Sequence, residues 1–203
     1  MQNTLQTTFK WLAIAAFASL LSACGYNDFQ SKDETVKASW AEVLNQYQRR
    51  ADLIPNLVQT VQGYAKHEEG TFAAVAQARS STAQLKLTAD DLADPVKMKQ
   101  FQEAQGQMTS ALSRLMAVSE NYPQLKADQN FRDLQSQLEG TENRITVARN
   151  RFVEVVKDYN ILVRSVPTNF TAMVMGYKAK ESFAVENEKA ISTAPKVDFG
   201  GQK

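Results

Sequence analysis

The chain has 203 residues, with 23 basic and 22 acidic side chains, one histidine and one cysteine. That length supports one domain with a real core, and the balanced charge, without a long basic run or an acidic tail, argues against nucleic acid as a partner. With only 8 glycines and 5 prolines, most of the chain is expected to be ordered.

Residues 1–23 stand apart. They carry one charge, Lys10, ahead of an apolar run from Trp11 to Leu21. The run is shorter than the roughly 20 residues a membrane span needs and matches the core of a signal peptide. Small residues then lead to the only cysteine, in Leu21-Ser22-Ala23-Cys24-Gly25. This reads as a bacterial lipoprotein signal, with Cys24 acylated and becoming the new N-terminus; diacylation supplies the firm anchoring that a single acyl chain does not. The competing readings are an ordinary secretory signal and an uncleaved anchor with an unused thiol. Residues 24–30 would then be the lipidated cysteine and a short tether. Removing residues 1–23 takes away Lys10 and no acid. The mature chain is then formally neutral, so the lipid and not charge must hold it to the membrane. The expected location is the bacterial cell envelope, anchored on the exported side. Gly25 in place of an aspartate after the cysteine favours the outer membrane where there is one.

The remainder reads as helix almost throughout. From about Asp28 to Lys66 the apolar residues Val36, Trp40, Val43, Tyr47, Ala51, Ile54, Val58, Val61 and Ala65 recur in steps of three and four, the mark of one buried helix face. Pro55 interrupts this run, where a proline costs roughly 3 kcal/mol or more by removing a donor and clashing with the preceding turn. It predicts a helix end or a useful kink. A second, Ala-rich segment covers Thr71 to Leu87. Asp94-Pro95 starts a third, because the aspartate can accept from orphan backbone donors and proline at the first helical position forfeits nothing. That segment carries Met98, Phe101, Met108, Leu112, Leu115 and Val118 and ends at Tyr122-Pro123.

The fourth segment begins at Phe131. Leu134, Leu138, Thr141, Ile145, Ala148, Phe152, Val155, Tyr159 and Leu162 alternate steps of four and three, which predicts a long helix packed at small crossing angles, as in a bundle or coiled coil. Gly140 inside it predicts close approach of a neighbouring helix. Ser165-Val166-Pro167 ends the run. A short last helix from Asn169 to Asn187 would carry Phe170, Met173, Val174, Tyr177 and Phe183, and the tail 191–203 is expected to be flexible. The fold class is therefore all-α: an antiparallel up-and-down bundle of four to five helices over residues 31–190.

Chemistry has few parts to work with. His67 is the only histidine, beside two glutamates, and reads as a surface residue near a helix end; a closed zinc site lacks histidine and cysteine ligands. No serine precedes a lysine by three residues, and nucleophile-elbow and phosphate-cradling glycine patterns are missing. No enzyme activity, cofactor or metal is expected. The polar cluster around Pro55 is the one candidate site. Arg49, Asp52 and Asn56 share a helix face while Arg50 points elsewhere. In the structural reading Asp52 and Asn56 hold a bend and an arginine from another helix, Arg79 or Arg149, pairs with Asp52. In the functional reading Arg49, Arg50, Asp52, Pro55 and Asn56 form a recognition site.

Several stretches resemble the LemA family of helical bacterial envelope proteins: RRADLIPNLVQTVQGYAKHE (49–68), QARS (77–80), SENYPQLKADQNFRDLQSQLEGTENRITVARNRF (119–152), VKDYN (156–160) and ESF (181–183). The resemblance implies an all-α antiparallel bundle attached to the membrane by its N-terminus, and it implies no particular activity. Family members typically carry an N-terminal transmembrane helix, from which the short apolar run and lipoprotein-type signal here depart. The leading functional expectation is a membrane-tethered module that docks another envelope protein. Second is a ligand-binding or transport-accessory lipoprotein with a pocket between helices. Weakest is an envelope hydrolase using paired carboxylates.

Overall fold

The computed structural model describes residues 2–183, with side chains at Trp11 and from Gly25 onward. Cys24's side chain and the tail 191–203 lie outside the described residues. Every regular element among the described residues is helical: α1 (Gln2–Tyr64), α2 (Glu69–Gln84), α3 (Pro95–Val118), α4 (Pro123–Ala127), α5 (Gln129–Arg164) and α6 (Thr168–Met175), with 3₁₀ turns at Ala89–Ala93 and Ser119–Asn121. No helix among the described residues is long and apolar enough to cross a membrane.

α1 and α5 form the long antiparallel spine. Cross-links along them run in opposite directions: Lys32 to Asp158, Glu42 to Arg151, Arg50 to Glu142, and Tyr64 to Asp128. α3 runs with α1, as the Tyr47–Phe101 ring contact and the Glu68–Tyr122 hydrogen bond at the far end show, and α2 returns along α3. The result is the expected up-and-down bundle.

Helix ends follow local chemistry. The Asp94 carboxylate accepts from the backbone N–H groups of Val96 (2.9 Å) and Lys97 (3.3 Å) ahead of Pro95, as expected. Asp128 caps α5 by accepting from Phe131 N–H at 2.9 Å. That bond, with the Tyr64 hydroxyl, holds the Asp128 carboxyl below the usual carboxylate range.

Three expectations are corrected, and of the two readings of Pro55 the helix end is excluded. Residues 24–30 are not a tether but part of α1. Phe29 lies seven residues before Val36 on the same stripe, is fully buried, and stacks on Tyr177 at 4.7 Å. α1 also continues through Pro55, which is exposed. Gly140 meets no neighbour: a Cβ built there finds nothing within 4 Å. Finally, α6 stops at Met175, because Gly176 takes a left-handed φ of 75°. Residues 177–183 leave it as an irregular strap laid on the bundle. Asn160 receives Lys180 N–H and donates to Lys180 carbonyl, both at 2.8 Å, and Glu181 N–H donates to the Leu92 carbonyl at 2.7 Å.

Candidate functional site

The buried stripe of α1 differs from the expected one at two positions, where Arg50 and Leu57 replace Ala51 and Val58. The residues that face the core are Val36, Trp40, Val43, Tyr47, Arg50, Ile54, Leu57 and Val61, alternating four- and three-residue steps without a break. Ala51 and Val58, assigned to the stripe from sequence, are only half-buried. The first replacement puts Arg50 inside the bundle, where its residue is 2% exposed.

An arginine in such a position requires acceptors, since a buried unpaired guanidinium is prohibitive. One terminal nitrogen donates to Glu142 Oε1 on α5 at 2.9 Å and to Thr109 Oγ1 on α3 at 3.1 Å; the other donates to Gln105 Oε1 on α3 at 2.5 Å. The guanidinium also lies over the Tyr47 ring, 5.1 Å from its centroid. Glu142 keeps its side chain 39% exposed, so the pair is buried on one side and hydrated on the other.

This layer divides the core in two. On the α1 N-terminal side lie Phe29, Trp40, Tyr47, Phe101, Phe152 and Tyr159; on the other lie Ile54, Leu57, Val61, Met108, Leu115 and Leu138. Thr141, fully buried on α5 beside Glu142, turns its hydroxyl to the Gln137 carbonyl at 2.8 Å.

The expected clasp at Asp52 is not formed; the buried arginine is Arg50, with partners that the sequence reading did not name. Asp52 is exposed and accepts from Gln48 Nε2 at 2.7 Å, not from Arg79 or Arg149. Arg49, Pro55, Asn56 and Arg79 are also exposed. Arg149 instead covers the Phe183 ring at 4.4 Å. Asp52 and its neighbours sit on the outer face because they are two positions off the stripe that Arg50 occupies. His67 is exposed at the α1–α2 link, as expected.

Two clefts meet at Arg50. One, of about 430 Å³ between α1, α2 and α3, has Leu44, Ile54, Phe101 and Met108 as its floor and Asp52, Arg79 and Lys86 on its rim. The other, of about 290 Å³, lies between α1, α3 and α5 and is polar, with Gln102, Thr109, Glu142 and Arg149 in its wall. The acids among the described lining residues are Asp52 in the first and Glu142 in the second. Neither cleft pairs two carboxylates, and Glu142 is already committed to Arg50.

A second polar cluster secures the strap. Asp33 receives Lys37 at 2.8 Å and Lys180 at 2.9 Å. Burial pushes the Asp33 carboxyl up, but the two ammonium groups together outweigh it and hold it below the usual range. The same Lys180 amine lies over the Tyr159 ring at 5.1 Å. The Tyr159 hydroxyl is pushed up to about 12, first by burial and then by the Asp33 charge. Sequence reasoning missed Arg50's partners Gln105, Thr109 and Glu142, and also Asp33 and Lys180. The unbroken alternation of fours and threes through Arg50 was the signal for the first group. No local pattern marks the second, which forms only when the strap folds back.

Most of the chain can be matched to known proteins. It is 28% identical over 200 residues to magnetosome protein MamQ 2 of Paramagnetospirillum magneticum, a match covering 91% of this chain and 72% of that protein. It is 26% identical over 204 residues to magnetosome protein MamQ of Magnetospirillum gryphiswaldense, with the same shares covered. The LemA family model matches residues 39–199, which include α2 to α6, all of the Arg50 layer and the strap; the chain belongs to the LemA family.

Proposed function

We propose that this protein is a membrane-tethered, non-enzymatic interaction module of the bacterial envelope, held by its N-terminus and docking a segment of another envelope protein in the cleft between α1, α2 and α3. The observation that carries this reading is the form of that cleft. Its wall follows α1 from Leu44 to Ile54, about 15 Å of helix at 1.5 Å per residue, with an apolar floor and a rim of both charge signs. A groove of that length and composition suits a polypeptide segment, which supplies apolar anchors and a polar edge together. Arg50 at its base is already engaged by three acceptors of its own chain, so the layer holds the groove's shape and the rim is left for recognition. Acylation of Cys24 is the anchoring chemistry that the sequence favours, on the exported side of the membrane, with the outer membrane favoured where there is one.

A second reading has one observation in its favour. Tyr47, Met108 and Arg50 line the same cleft, whose volume of about 430 Å³ lies within the usual range for small-molecule sites. A ligand-binding or transport-accessory role would use it as a pocket.

The test places a photo-crosslinking residue at Ala83, exposed on the cleft's lining, and as a control at Val147, exposed on α5. Full-length protein in its own membranes is then irradiated. The expected result is a discrete protein adduct at position 83, missing at 147 and lost in Asp52→Lys. Equal adducts at both positions, or none at 83, overturn docking at this cleft. Saturable uptake of an apolar dye by the purified protein, blocked by Ala83→Trp, with no protein adduct, would establish the pocket reading instead.

A further inference from the structure

α6 is turned inside out. Of its eight residues, Ala172 is the buried apolar one, and Thr168 and Thr171 lie against α1. A Cβ added at Gly25 would meet Thr171 Oγ1 at 3.4 Å and Thr168 Cγ2 at 3.5 Å, so the helix rests on α1 at the level of Gly25. Its apolar residues face outward: Phe170, Met173 and Val174 stand at i, i+3 and i+4 on one side and are 61%, 76% and 83% exposed. Val166 just before the helix and Met175 at its end extend the same apolar surface at 76% and 51%. A contiguous exposed patch of this kind needs an occupant.

Its position identifies one. The apolar run Trp11–Leu21 belongs to the same continuous helix as Gly25, and Leu21 is about 6 Å along the axis from Gly25 at 1.5 Å per residue. Cys24 is the residue before Gly25. Whether the anchor is the apolar run or an acyl chain on Cys24, it enters the membrane beside α6. Charge agrees: the charged residues nearest the helix on either side are the bases Arg164 and Lys178, both exposed. Apolar residues flanked by bases are the composition of a helix that lies in the headgroup layer of an anionic bilayer.

We infer that α6 and the Val166–Pro167 turn are a second membrane contact, inserted into the bilayer surface next to the N-terminal anchor. The inference rests on the N-terminal anchoring proposed above. Two attachments at one end of the bundle fix its tilt and rotation, and hold the α1–α2–α3 cleft at a set height above the lipid.

The test reconstitutes the full-length protein in phosphatidylethanolamine–phosphatidylglycerol vesicles carrying a lipid with a photoactivatable acyl chain, and maps lipid adducts by mass spectrometry. The expected result is labelling of both the N-terminal segment and peptide 166–175. In Met173→Glu/Val174→Glu, two exposed positions whose change leaves the core intact, labelling of 166–175 should fall about tenfold or more while N-terminal labelling persists. Labelling of the N-terminal segment without 166–175 overturns the inference and leaves the anchor standing; this is also the result if a second copy or residues 184–203 cover the patch. Labelling of 166–175 unchanged by the double substitution overturns it as non-specific. Labelling of neither region defeats the anchoring reading and the inference together.

Discussion

The two halves of the core on either side of Arg50 are built differently. The half toward Gly25 is aromatic. Trp40 packs on Phe101 and Phe152 with centroids 5.3 and 5.2 Å apart, and two of its rings, Tyr177 and Phe183, come from the irregular strap. The half toward Tyr64 is mostly aliphatic, and its members come from α1 to α5 and the links between them. Rings are large and stiff, and a few of them close a volume that helices alone leave open. Where α2 and α3 run alongside the spine, aliphatic side chains suffice. Where the spine extends past them, the chain brings back rings on a strap to finish the core.

The largest expected effects come from emptying each half in turn. Phe152 is fully buried, as its place in the sequence stripe required, and it touches Phe183 at a centroid distance of 5.6 Å. Phe152→Ala should cost about 3–5 kcal/mol in urea unfolding, and Leu115→Ala in the other half about 2–5 kcal/mol. The comparison predicts more than the totals: hydrogen exchange in residues 177–183 should rise with Phe152→Ala and stay unchanged with Leu115→Ala. Equal loosening of the strap by both would mean that the halves are one unit. A Phe152 loss under about 1 kcal/mol would mean the side chain is not core.

Next comes the layer between them. Truncating one partner of a fully buried pair costs about 3–5 kcal/mol. Glu142 here remains partly hydrated and can be resolvated by water, so Arg50→Ala should cost less, about 1–3 kcal/mol. Arg50→Leu, which restores apolar volume, should unfold at higher urea than Arg50→Ala. If the two variants melt together, the packing at this level does not depend on filling the site.

Smaller is the loss of the strap's fastening. Asn160→Ala removes two hydrogen bonds to Lys180 and should cost about 1–2 kcal/mol, with proteolytic nicking between Tyr177 and Phe183 appearing before any other cleavage. Cleavage starting elsewhere would show that the strap is held mainly by its rings. Smallest, and opposite in sign, is Gly140→Ala. The added methyl meets open space and removes a flexible residue from a helix interior, so stability should rise by about 0.5–1 kcal/mol. A decrease would contradict the open surroundings of that position.

Much of this architecture was legible in the sequence because it is periodic. The α5 stripe named Ile145, Ala148, Phe152 and Tyr159 correctly, and the α3 stripe named six residues, Met98 to Val118, that are all buried. The stripe also slipped by one residue at Val58 and Val155, where Leu57 and Val156 are the buried neighbours, and the two larger failures share a cause. At Arg50 the periodic position is charged, and a rule that looks for apolar residues steps to Ala51 instead. In α6 the periodic face is apolar, but it points outward. Hydrophobic spacing tells which residues share a side and not what that side meets. Asp33 and Lys180 are 147 positions apart in the sequence and their ion pair follows from the strap's return, which no short window contains. The resemblance quoted on Arg49–Glu68 and Ser119–Phe152 reached the family directly, and those stretches carry Arg50 and Glu142, two members of the layer.

The strap also sets the order in which the molecule can be completed. The chain is synthesised from its N-terminus, so Phe29, Trp40 and Phe152 precede Tyr177 and Phe183, the rings that cover them. Until then the aromatic half stands open beneath an otherwise assembled bundle. A chain cut short before Tyr177 would keep bare rings at that end indefinitely, exposed to the proteases that degrade incompletely buried chains. Closure by the strap thus acts as a late seal: only a copy that reaches Phe183 hides the rings that mark an unfinished bundle.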